Sequence, residues 1–96
     1  MDFLFVVSTP QAECVLLPLV AACRRKGLVW AFFFTNDGVK LLEDPRVVEA
    51  TRCAQKAIVC EHSWAKFMGQ VSCPAELGSQ TQNSMMVGEV AHIVSL

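Results

Sequence analysis

Seven apolar residues in a row, Leu28 to Phe34 (LVWAFFF), constrain this chain more than any other feature in it. The run has strand length and is rich in aromatic residues, yet it shows no apolar–polar alternation. A strand of that kind is buried on both faces, and the usual way to cover both faces is to lay helices on a parallel sheet.

Phe3 to Val7 is a second continuous apolar run, ended by STP. Thr9 is placed to cap a helix with Pro10 at its first position, where a missing N–H costs nothing. This helix runs to CRRKG, with basic residues at its negative end and Gly27 as terminator, and Pro18 inside it predicts a kink or restart. TNDG after Phe34 reads as a tight turn. In EDPRVVEATRCAQK, Asp44 caps a helix that Pro45 opens, with Val47, Thr51 and Ala54 on one face and Val48 beside them. Ala57 to Val59 forms a short strand running into Cys60. A brief helix is expected from about Ser63 to Met68 and a weaker extended piece around Gln70 to Cys73. Ser79 and Gln82 have capping-box spacing for a helix closing near Gly88, and EVAHIVSL supplies a last strand.

With 96 residues the chain makes one domain, residues 1–96. Its 53% hydrophobic content against 18% charged is apolar for that size, so part of the apolar surface is expected to face another subunit. A net charge of -1 argues against a nucleic-acid partner. MDFLFVVSTP carries Asp2 and no basic residue, and its apolar run stops at Val7, too soon for a secretion signal. Val15 to Ala22 contains Pro18 and has less than half the length of a membrane span. The chain therefore reads as cytoplasmic, with no membrane partner. Five cysteines, an odd number without a CxxC pair, fit thiols in a reducing compartment, and most of them should be core fillers.

In open parallel sheets, function gathers where chains leave the carboxyl ends of strands, here at Ser8, Thr35 and Cys60. Cys60 falls between a strand and a helix, near helix N–H groups that favour a thiolate. A protonated His62 would reinforce that effect and Glu61 would oppose it. The plain alternative is that Cys60 ends a buried strand. A metal site from Cys60, His62 and Cys73 lacks a fourth ligand, and a cysteine hydrolase built on Cys60 with His62 or His92 rests on sequence adjacency alone. No metal and no cofactor is expected. Cys73 is either an incidental thiol or one that resolves an oxidised Cys60. Cys14, Cys23 and Cys53 read as packing, His92 as a structural histidine, and Met85 with Met86 as fillers of a core or subunit contact. TNDGV has one glycine where a dinucleotide loop needs three, so it reads as a turn.

Taken in order, these motifs resemble the DsrE/DsrF family, which includes the sulfur-relay proteins TusC and TusD. FFFTNDGV is similar to the family's second strand and its Asp-Gly-Val turn (Asp37, Gly38, Val39). VCEHSWAKFMG is similar to its cysteine segment, and GSQTQNSMMVGEVAHIVSL to its closing helix and last strand. The family's Arg-Gly after the cysteine is Met68-Gly69 here, with Lys66 the only nearby cation. The resemblance implies a three-layer α/β/α domain on a parallel sheet of about five strands, in homo- or hetero-oligomers, commonly trimers or hexamers. It also implies that Cys60 accepts sulfane sulfur as a persulfide from a donor protein and hands it to an acceptor. His62 and Ser63 would support that chemistry, and Asp37, Gly38 and Lys66 would serve binding. The other function class is a non-catalytic oligomeric binding module on the same fold, with Cys60 structural or in contact with a ligand.

Overall fold

The computed structural model describes residues 1–96 and contains one sheet of five parallel strands. The strands are β1 (Phe3–Val7), β2 (Trp30–Phe34), β3 (Lys56–Cys60), β4 (Glu76–Gly78) and β5 (His92–Ser95). Their spatial order is β4-β3-β2-β1-β5. The apolar run fills the central strand, and all five residues of β2 are buried. Leu28 and Val29 fall outside it: the Leu28 N–H closes the preceding helix on the Cys23 carbonyl, and the Val29 N–H donates to the Asp2 carboxylate at 2.7 Å.

From β1 to β4 the chain steps across the sheet in one direction. Right-handed crossovers then put α1 (Glu13–Lys26), α2 (Pro45–Cys53) and α3 (Glu61–Met68) on one face. The return from β4 to the far edge at β5 carries α4 (Gln80–Val87) over the other face. The fold is thus a three-layer α/β/α sandwich, thick on one side and thin on the other. On the thick side Phe5, Phe32, Phe34 and Val59 pack against Leu16, Val20, Val47 and Trp64. The Phe5 and Phe32 rings lie 5.6 Å apart and Phe32 and Phe34 5.2 Å apart, within aromatic contact range. The buried Trp30 indole N–H is satisfied by the Ala50 carbonyl at 3.3 Å. On the thin side Leu4, Ala31, Phe33, Ile58 and Cys60 meet Met86.

Local chemistry departs from the sequence expectations at a few points. Thr9 and Pro10 open a 3-10 turn, Pro10–Ala12, before α1 begins. α1 runs unbroken through Pro18, because Pro18 and the residue whose carbonyl it leaves unpaired, Cys14, are both on the exposed side where water takes over. Gly27 closes it at φ 66°. TNDG is no simple turn: it starts an eight-residue 3-10 segment, Asn36–Glu43, with Asn36 in the left-handed region at φ 51°, which asparagine tolerates. Asp44 accepts from the Arg46 N–H at 2.9 Å, and Arg46 returns a side-chain bond at 2.8 Å, which holds the Asp44 carboxyl well below the usual carboxylate range. α2 ends at Cys53, so Ala54 leaves the helical face and Val47, Ala50 and Thr51 are the buried residues.

The extended piece expected at Gln70 to Cys73 is irregular, and the short strand forms later, at Glu76–Gly78, where Leu77 can pair with Val59. Ser79 and Gln82 do form the capping box of α4, with Gln82 Oε1 accepting from the Ser79 N–H at 2.9 Å. Cys14 and Cys53 are exposed rather than packed, whereas Cys23 is buried. Of the adjacent pair Met85 and Met86, Met86 is core and Met85 is 62% exposed. His92 is exposed with its ring 5.3 Å from that of Phe3. No helix is long and apolar enough to cross a membrane.

Candidate functional site

Strand β3 ends at Cys60 and α3 starts at Glu61 with no loop between, so Cys60 is itself the N-cap of the helix. The helix begins two residues earlier than the sequence suggested. The consequence is chemical, because the first N–H groups of a helix have no partner within it. Those of His62 and Ser63 lie at the Cys60 end of the helix and favour its thiolate, although the neutral thiol makes no capping hydrogen bond.

Ser63 is 4% exposed and ties the site together. Its hydroxyl accepts from the Asn36 N–H at 2.8 Å and lies 3.5 Å from the Thr35 hydroxyl. The Thr35 hydroxyl in turn accepts from the Gln80 side-chain amide at 3.4 Å. The ends of β2 and β3, the start of α3 and the start of α4 therefore converge on one thiol. They do so at the point where the topology reverses: the chain leaving β3 turns to one face and the chain leaving β4 to the other. Cys60 and Gly78 sit side by side at those two strand ends. Such a switch point is where open parallel sheets place their ligands.

Cys60 is 7% exposed. Burial pushes its thiol up and is the largest single influence. The Ser63 hydroxyl, the Ser63 and His62 N–H groups and the Thr35 hydroxyl together outweigh it, leaving the thiol below the ordinary value of 9.0. The other two sheltered thiols go the opposite way. Burial, with the nearby Asp2 charge, raises Cys23, and burial raises Cys73 against a bond from the Ala75 N–H. Cys60 is thus the thiol whose surroundings favour the thiolate, the form that reacts.

Of the residues expected at the site, Cys60 and Ser63 come together directly. His62 contributes its backbone N–H, while its imidazole is on an exposed residue. Lys66 lies over the Phe67 ring at 5.3 Å, a ring it shares with Lys40 at 5.4 Å, and is not among the groups that act on Cys60. Asp37 makes no side-chain hydrogen bond, and Gly38 is buried against the backbone of Val7 and Thr9. The Asp-Gly pair therefore seats the 3-10 segment on the end of β1, and it is Thr35 and Asn36, just before it, that reach the thiol's surroundings. Thr35 was legible only as a strand end, and nothing in the sequence pointed to Gln80 as its partner. Ser8, the third strand end, donates to the Leu96 carbonyl at 3.0 Å instead.

Cys73 packs with the thick side of the core and Cys60 with the thin side, so the two thiols are on opposite faces of the sheet and a resolving role for Cys73 has no geometric support. No three His, Cys, Asp or Glu side chains are grouped closely enough to hold a metal ion. The surface grooves lie elsewhere: one of about 410 Å³ between α1 and α2, lined by Leu17 and Arg46, and one of about 530 Å³ beside Trp64 and Cys73. Cys60 lines neither. A scan against protein-family models finds no match for this chain, and a search of curated proteins finds none.

Proposed function

We propose that this chain is a small sulfur carrier of the DsrE/DsrF type, working in the cytoplasm through a persulfide on Cys60. The observation that carries the reading is the Cys60 thiol itself, seated at the N-terminus of α3 beside the Ser63 and Thr35 hydroxyls and drawn below the ordinary thiol value while Cys23 and Cys73 are raised. In the loading step the Cys60 thiolate attacks the outer sulfur of a donor persulfide. The new S–S bond forms on Cys60, the donor's S–S bond breaks, and the donor leaves as a thiolate. The terminal sulfur of the product is anionic, and the same N–H groups and hydroxyls that favour the thiolate can hold it without a buried lysine or arginine. An acceptor thiolate then takes that sulfur by the same exchange. Because no surface groove opens on Cys60, donor and acceptor sulfurs are best delivered by partner proteins rather than by bulky free substrates.

A second reading has its own support in the 7% exposure of Cys60: a binding module in which the thiol only ends a strand and fills the space beside Met86. One experiment separates the two. After exposure to a polysulfide donor, peptide mass mapping should show about 32 Da added at Cys60, removable by reductant, and absent in Cys60→Ser. Equal loading of all five cysteines, or loading unchanged in Cys60→Ser, would leave the binding module standing.

A further inference from the structure

We infer that the open edge of β5 is a self-association surface, on which a second copy of this chain adds its own β5 in antiparallel alignment. The inference is independent of the chemistry at Cys60. The strand order leaves β5 and β4 as the two edges of the sheet, and the chain treats them differently. β4 is three residues long, carries Glu76 and follows Pro74, which are the features that discourage a strand from pairing with another chain. β5 lies in VAHIVSL, residues 90–96, with no proline, no acid, no lysine and no arginine.

Both faces beside β5 are also under-covered. On the α1 side a cavity of about 160 Å³ stays half open, lined by Phe3, Phe5, Leu19, Leu28 and Val94, with Lys26 beside it. On the α4 side Ile93 is 47% exposed. An added strand, with the helix it carries, would cover both.

Hydrogen-bond direction sets the register. The N–H groups of His92 and Leu96 turn inward to the carbonyls of Asp2 and Val6. By alternation those of Ile93 and Ser95 face the open side. A two-fold axis at Val94 places Ile93 opposite Ser95 of the partner subunit, where the pair exchange both N–H···O bonds. Val94 then meets its own copy in the closer, non-hydrogen-bonded position, on the side of the apolar cavity. Both copies keep α1 on the same face, and neither strand brings an Asp, Glu, Lys or Arg against a like charge. This self-complementarity is why the occupant is a second copy rather than an unlike partner.

Sedimentation equilibrium across micromolar concentrations tests it, with circular dichroism confirming that each variant is folded. A dimer, or a hexamer containing such two-folds, is expected. Ser95→Pro, which removes an outward N–H, and Ile93→Lys should each weaken assembly at least about tenfold. Leu77→Lys, on the opposite edge, should leave it unchanged. Amide exchange of the unmodified chain provides a check that needs no variant: Ile93 and Ser95 should slow as concentration rises. A monomer or a simple trimer, assembly indifferent to Ser95→Pro and Ile93→Lys, equal weakening by Leu77→Lys, or exchange independent of concentration would each overturn the inference.

Discussion

Gly38→Ala is expected to destabilise the fold by about 2–4 kcal/mol, the cost of overpacking at a site that cannot give way. A Cβ at Gly38 would sit 2.5 Å from the Val7 carbonyl oxygen, 2.9 Å from its carbon and 3.0 Å from the Thr9 nitrogen. All three are backbone atoms at the end of β1, so no side chain can rotate aside. Relief requires lifting the 3-10 segment off the sheet, and Val39, Leu41 and Leu42, all in the core, would lift with it. For a domain of this size the loss corresponds to a fall in Tm of roughly 10–25 °C. Thermal melting checks it. A Tm within about 2 °C of the unmodified chain would mean that the segment is not clamped as described.

Ser63→Ala is expected to move the Cys60 thiol upward and slow its alkylation several-fold near neutral pH. It removes the hydroxyl that most favours the thiolate while burial, which opposes it, stays in place. It also leaves the Asn36 N–H without its 2.8 Å partner, a loss of about 1–2 kcal/mol. The sign of the pH dependence separates these two effects. A thiol whose folded value is depressed contributes stability that is full above its unfolded value and is lost as pH falls through the folded value. Unmodified protein should therefore gain stability over Ser63→Ala as pH rises from the lowered Cys60 value toward 9.0, on top of a constant difference from the lost bond. Urea melts at several pH values measure this. A stability gap that stays flat with pH would show that Ser63 acts only as a strut.

The sheet was legible because its central strands are apolar throughout: WAFFF and FLFVV have nowhere to go but between two layers. The Asp44-Pro45 start and the Ser79–Gln82 box were legible because caps are local chemistry. What the sequence concealed is tertiary. Whether Pro18 breaks a helix depends on which side of α1 faces water, and whether Cys14 and Cys53 are core depends on the same rotation. The short β4 was misplaced because Glu76, Leu77 and Gly78 have little strand character and are held by pairing with β3. Cys60 and Ser63 could be named from a strand-to-helix junction. Thr35 and Gln80 come from distant segments, and only the parallel order of β2, β3 and β4 brings them alongside. The Asp37-Gly38 pair marked a change of chain direction, but the close approach of Gly38 to the end of β1 could not be read from it, because that contact joins segments far apart in the chain.

The most direct test of the claim that Cys60 is the poised thiol is alkylation rate against pH, followed separately at each of the five cysteines by peptide mass mapping. Absolute rates do not decide it, because Cys14 and Cys53 are exposed and Cys60 is sheltered. The inflection does. Cys60 should titrate below the ordinary thiol value of 9.0, and Cys23 and Cys73 above it. A Cys60 inflection at or above that of Cys23 would contradict it.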